Sequence, residues 1–183
     1  MRAIVFNGTR DISVGDRPDP AVQSPTDAVV RVVRSCDCGS DLWYYCGIRP
    51  HEPGSSGHEF IGVVDDLGAQ VSTLRKGHFV VAPLIFNCGT CPPCAHGFTA
   101  NCVRGGSIGN GVSDGGQGEF VRVPFAYATL VKTPAETSLT TSSRHPSHSA
   151  TSWAPGITQR SAQASERETL SQPCATAPSG CVA

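Results

Sequence analysis

The chain has 183 residues, a net charge of −1 at pH 7 and an aromatic content of 7%. It lacks both the surplus of Lys and Arg that marks a nucleic-acid binder and an apolar run of the ~18 residues a membrane helix needs, so neither partner is expected. Twenty Gly and 14 Pro exceed the usual share of turn residues, which favours a turn-rich β protein over a helical bundle.

Residues 1–10 carry no apolar stretch followed by a small-residue cleavage site, which argues against a signal peptide and for the cytosol. Apolar or β-branched runs of strand length follow at residues 3–6, 28–33, 60–64, 79–85, 120–123 and 130–131. Gly and Pro clusters separate most of them. Residues 40–45, between Gly39 and Gly47, read as a single helical turn. Short strands without long interleaved helices predict a mainly β fold, a partly open barrel over residues 1–134. Beyond that, residues 135–183 hold 17 Ser or Thr and five large apolar residues. Such a segment cannot bury enough surface to offset its ordering entropy, and a low-complexity disordered tail is expected.

Nine cysteines in a cytosolic chain call for a role other than disulfides. The sharpest cluster is Cys88-x2-Cys91-x2-Cys94-x7-Cys102. Four thiolates at this spacing can close a tetrahedron around one ion, and Zn²⁺ suits a soft four-sulfur cage without redox chemistry. An iron–sulfur cluster is the rival reading. In bacterial ferredoxins, however, the fourth cysteine comes three residues on and precedes Pro, whereas here the gap is seven and Val103 follows. The site is closed and therefore structural.

A second set is spread over more sequence. Cys38-Gly-Ser40-Asp41 sits on the expected helical turn, and Gly57-His58-Glu59 opens the strand at residues 60–64. Each alone is a weak signal. Together they offer a thiolate, an imidazole and a carboxylate beside a hydroxyl that could carry a proton, the raw material of a catalytic metal site.

The run Gly57-His58-Glu59-x2-Gly62-x5-Gly68-x2-Val71 resembles the signature of the zinc-containing alcohol dehydrogenases. Cys-Gly-Ser-Asp before it and the four-cysteine lobe after it stand in that family's order. Residues 1–134 therefore resemble the N-terminal, GroES-like catalytic domain of the medium-chain dehydrogenases. The resemblance implies Cys38 and His58 as ligands of a catalytic zinc and Glu59 as a neighbouring carboxylate that binds the metal or exchanges with water. It implies Ser40 as the hydroxyl that takes the substrate proton and Asp41 as the group that orients a ligand. Cys88, Cys91, Cys94 and Cys102 match the structural zinc ligands. The implied reaction converts an alcohol to an aldehyde or ketone, with hydride passing to NAD(P). The implied partners are a small alcohol or aldehyde and other subunits of an oligomer.

Some positions depart from the pattern. Trp43 stands where many members place a histidine that completes a proton relay, and His78 follows Gly77 where Asp is common. Cys36 and Cys46 match no ligand position, and His51 reads either as a residue lining the cleft or, as is commoner for a loop histidine, as an exposed one. The Gly-rich turn of a nucleotide-binding domain is also missing, since Gly109-Asn-Gly111 lies inside the β region. Back-translated with permitted codons and read two nucleotides out of frame, residues 148–181 resemble the family's link from barrel to nucleotide-binding domain. The tail is thus expected to be out-of-frame translation and the barrel inactive alone. A non-enzymatic zinc-binding module is the alternative.

Overall fold

The computed structural model describes residues 1–111 and 113–133; the tail expected to be disordered lies outside the described residues. Two antiparallel sheets and a short ribbon make up the fold, the mainly β architecture that the turn-rich sequence predicts.

The first sheet is built on the hairpin of β1 (Arg2–Gly8) and β2 (Asp11–Asp16), joined on the β1 side by β4 (Gly54–Ser56) and then β9 (Asn110–Gly111). The second sheet runs β10, β3, β5, β6, β11. Its strands are β3 (Ala28–Cys36), β5 (Glu59–Leu67), β6 (Phe79–Ala82), β10 (Phe120–Val123) and β11 (Val131–Lys132). The ribbon pairs β7 (Ile85–Phe86) with β8 (Gly106–Ser107).

Alternation explains which faces turn inward. In β10, Val121 and Val123 are buried while Phe120 and Arg122 are half-exposed, and β6 repeats this with Val80 and Ala82. Val30 and Val64 meet them in one core with Phe60 and Ile108. Each such side chain contributes about 1.5–3 kcal/mol by leaving water. β3 and β5 slip register twice, between Val29 and Val30 and between Val32 and Arg34. Such bulges bend a long strand pair and suit a curved sheet.

Three expected elements are modified. The run 79–85 divides at Pro83-Leu84 into β6 and β7, because Pro has no amide to give the ladder. The helical turn is α1 (Asp41–Tyr45), one residue shorter than expected. The turn at Gly77-His78 closes despite the missing Asp, since His78 Nδ1 accepts the Arg75 amide at 3.1 Å.

Candidate metal centres

Strand register brings the first donor set together. β3 and β5 are antiparallel and end on the pair Cys36↔Glu59. The chain leaving β3 therefore passes beside the chain entering β5. Cys38 lies two residues beyond that pair on one strand and His58 one residue before it on the other. As a result, one donor atom each from Cys38, His58 and Glu59 lies within 4.8 Å of the others.

Gly57 makes this approach possible. Its φ of +86° belongs to the left-handed region, and a Cβ there would collide with the Gln117 side chain. With Gly in place, His58 turns inward and is only 5% exposed.

Asp41 holds the arrangement from the other side. Its Oδ1 stands 3.3 Å from His58 Nδ1. Its Oδ2 accepts the Cys38 amide at 2.9 Å. The hydrogen bond to Asp41 pushes the His58 imidazole up to about 9, against the opposing effect of burial and with help from Cys38. With Nδ1–H directed at Asp41, a metal would displace the proton of Nε2 and take its lone pair. Ser40 Oγ lies 3.5 Å from that same Nε2, which puts its hydroxyl at the mouth of the donor set.

The second donor set is local. Cys88 follows β7, Cys91 caps the short helix α2 (Pro92–Ala95), Cys94 lies within it, and Cys102 follows a 3-10 turn at Thr99–Asn101. The β7–β8 ribbon pinches both ends of this lobe, and the Cys88 amide donates to Cys102 Sγ at 3.3 Å. Cys102 Sγ lies 3.4 Å from Cys88 Sγ and 3.8 Å from Cys91 Sγ. All four sulfurs fall within 4.8 Å of one another. A tetrahedral ion with Zn–S bonds of ~2.3 Å requires S···S edges of about 3.8 Å, so the donor set fits zinc in size as well as in softness.

The thiols are unequal without a metal. The Thr90 amide pulls Cys88 down to about 5, and the Cys94 amide lowers Cys91. Burial pushes Cys94 up to about 12, and the neighbouring sulfurs of Cys91 and Cys102 push the same way. Loading the site with zinc must therefore expel protons, Cys94's above all.

Each residue expected at a site thus falls into one of two groups: Cys38, Ser40, Asp41, His58 and Glu59 converge in the first, and the four lobe cysteines in the second. His51 is not the exposed histidine expected. Its half-buried ring sits 4.8 Å from that of Phe6 and 4.7 Å from that of Tyr44, with Nε2 3.1 Å from the Gly109 carbonyl. A cavity of about 390 Å³ opens beside it, lined by Phe6, Tyr44 and Arg49 among others, and neither donor set borders it. Trp43 is 40% exposed with the Arg49 guanidinium 4.7 Å above its ring, a contact no sequence motif announced.

Comparison with known proteins extends this geometry. Residues 24–135 match the family described as the alcohol dehydrogenase GroES-like domain. The medium chain reductase/dehydrogenase ucsI of an Acremonium species is 42% identical over 139 residues, which cover 73% of this chain and 47% of that protein. Zinc-type alcohol dehydrogenase B of Aspergillus flavus is 39% identical over 135 residues, 73% of this chain and 32% of that one. Among solved structures, the alcohol dehydrogenase TADH from Thermus sp. ATN1 superposes with a TM-score of 0.68 at 42% identity, covering 73% of this chain and 40% of that one. The chain thus spans less than half the length of these relatives. The domain match takes in more than half of the chain's own residues, and the chain belongs to the zinc-type, medium-chain alcohol dehydrogenase family through its GroES-like domain.

Proposed function

We propose that this chain carries the metal-binding catalytic domain of an alcohol dehydrogenase acting on small alcohols, with Cys38 and His58 as zinc ligands and Glu59 as the adjacent carboxylate. The observation that carries the reading is the convergence of three unlike donors, a thiol, an imidazole and a carboxylate, within 4.8 Å. A purely structural zinc site is closed by four ligands, whereas three donors leave a place for substrate. The lobe of Cys88, Cys91, Cys94 and Cys102 would hold a second, structural zinc.

Zinc, when bound, supplies Lewis-acid polarisation of an alcohol oxygen, and NAD(P) supplies the hydride acceptor. The chain's own groups do the rest. Asp41 fixes the His58 tautomer through Nδ1 and anchors the Cys38 turn through that residue's amide. Ser40 Oγ accepts the proton leaving the substrate hydroxyl and passes its own outward. The Trp43 indole has an N–H but no basic nitrogen to accept and pass on a proton, so its place in the family's relay would fall to water at this partly exposed face.

Cobalt(II) substitution tests the reading on the full chain. Two metal ions per chain are expected. The visible bands of one should shift when a short alcohol is added, and that response should vanish in Cys38→Ser. A single ion with bands indifferent to alcohol would refute the proposal. Added NAD⁺ or NADP⁺ with an alcohol, followed at 340 nm, then tests the expectation that the domain alone does not turn over.

A further inference from the structure

The four-cysteine lobe carries a group that no ligand pattern assigns. Four thiolates around one Zn²⁺ leave two surplus negative charges, which the protein must offset or leave to solvent. Three observations converge on the side chain that does so. Arg104, two residues beyond Cys102, donates from Nη2 to Thr90 Oγ1 at 2.5 Å. Thr90 in turn directs its hydroxyl to Cys88 Sγ at 3.7 Å, which links the guanidinium to that sulfur through one hydroxyl. Finally, the guanidinium carbon stands 5.6 Å above the ring of Phe125, which packs against the cysteines.

Phe125 is itself unusual. Its φ of +48° and ψ of +45° put a bulky aromatic residue in the left-handed region. That conformation costs about 1–2 kcal/mol and persists only where the surroundings impose it. Here the ring packs against the lobe cysteines and also carries the Arg104 guanidinium over it. None of the ion pairs among the described residues involves Arg104, so no carboxylate among them competes for its charge.

We propose that Arg104, held by Thr90 and the Phe125 ring, is the counter-cation of the four-cysteine site and governs how firmly that site keeps its metal. The proposal rests on the reading that this lobe binds zinc. Without the guanidinium, the surplus charge of the four thiolates is left unbalanced and the ion is released faster. Groups placed in this way around metal ligands commonly change metal affinity by about 10–100-fold.

The test loads the full chain with cobalt(II) and follows the near-ultraviolet sulfur-to-metal absorption, which reports thiolate coordination, as a competing chelator removes the ion. Arg104→Met, which keeps the length and loses the charge, should lose the band about tenfold faster than the unmodified chain. Arg104→Lys should stay within about threefold of it, since the charge remains while the fork is lost. Raising ionic strength should hasten release from the unmodified chain and leave Arg104→Met unchanged, because Arg104 is exposed and its field is screened by salt. Equal rates in the unmodified chain and Arg104→Met overturn the proposal, as does a rate in the unmodified chain indifferent to salt. The salt series needs no variant and so decides even if Arg104→Met fails to fold. An unmodified chain that shows no four-thiolate band removes the zinc reading and the proposal with it.

Discussion

Asp41 Oδ1 stands 3.3 Å from His58 Nδ1 while the second oxygen of the same carboxylate takes the Cys38 amide at 2.9 Å. One side chain thus ties together the two segments that supply the first donor set. The carboxylate does this because it begins α1 directly after the Cys-Gly-Ser run, so its two oxygens face back along the chain and across to β5. Asp41→Asn keeps the shape and removes the charge, and it also allows the amide to present a donor to Nδ1. Zinc affinity at the Cys38 and His58 site should fall by about 10–100-fold, with the four-cysteine site unaffected. Competition against a chromophoric chelator checks this, and an unchanged affinity would mean that Asp41 has no part in orienting the imidazole.

Gly57→Ala tests the turn that aims His58. The substitution puts a Cβ at φ +86° and into the Gln117 side chain, which donates to Asp37. The backbone conformation alone costs about 1–2 kcal/mol. A lowered urea midpoint is expected together with weaker metal binding at the first site, since relief of the clash moves the residue next to a ligand. Full stability and full affinity in this variant would show that the turn tolerates a side chain.

How far the sequence carried depended on how local each feature is. The lobe cysteines were legible because all four lie in one 15-residue stretch whose spacing alone closes a tetrahedron. Cys38 and His58 are 20 positions apart, so the residue types alone gave a weak pairing that the resemblance sharpened; the register Cys36↔Glu59 that joins them is a tertiary fact. β2 is not legible in the sequence because Asp-Ile-Ser-Val-Gly-Asp is exposed along almost its whole length, with Ile12 and Val14 facing solvent, so burial does not mark it. β4, β7, β8 and β9 have two or three residues each, too short to carry a period. The mistaken expectation for His51 has a similar origin. Its place between Phe6 and Tyr44 depends on a hairpin 40 residues upstream, which nothing in Arg-Pro-His-Glu-Pro reveals.

Metal removal should affect the two parts of the fold differently. The lobe cysteines form a buried cluster of their own with Phe125, separate from the cluster around Val30, Val64 and Val121. The lobe has little else to bury, and its ribbon is two residues per strand. Zinc bound to such a unit is worth on the order of 10 kcal/mol. Chelation, or Cys94→Ser, should therefore abolish amide protection between residues 88 and 102 while β3, β5 and β10 keep theirs. Hydrogen exchange read by mass spectrometry distinguishes this from a single global transition, in which both regions would lose protection together.

An ion pair between Asp27 and Arg122 fastens the other end of the second sheet. Asp27, 1% exposed, stands just before β3, and its Oδ2 accepts the Ser24 amide at 3.0 Å, the Gln23 amide at 3.3 Å and Arg122 Nη1 at 3.0 Å. The same residue's carbonyl takes the Gly68 amide at the end of β5, so the pair fastens β3, β5 and β10 at one edge. Arg122 Nε is buried without a partner, which leaves the guanidinium dependent on this one carboxylate. Removing one member of a buried pair strands the other, and Asp27→Ala should cost about 3 kcal/mol. Asp27→Asn keeps an oxygen for the two amides and loses only the charge, so it should cost about 1 kcal/mol. Urea unfolding with an unchanged m-value checks the order of the two. If Asp27→Asn proves as damaging as Asp27→Ala, the ion pair rather than the turn is what the strand edge depends on.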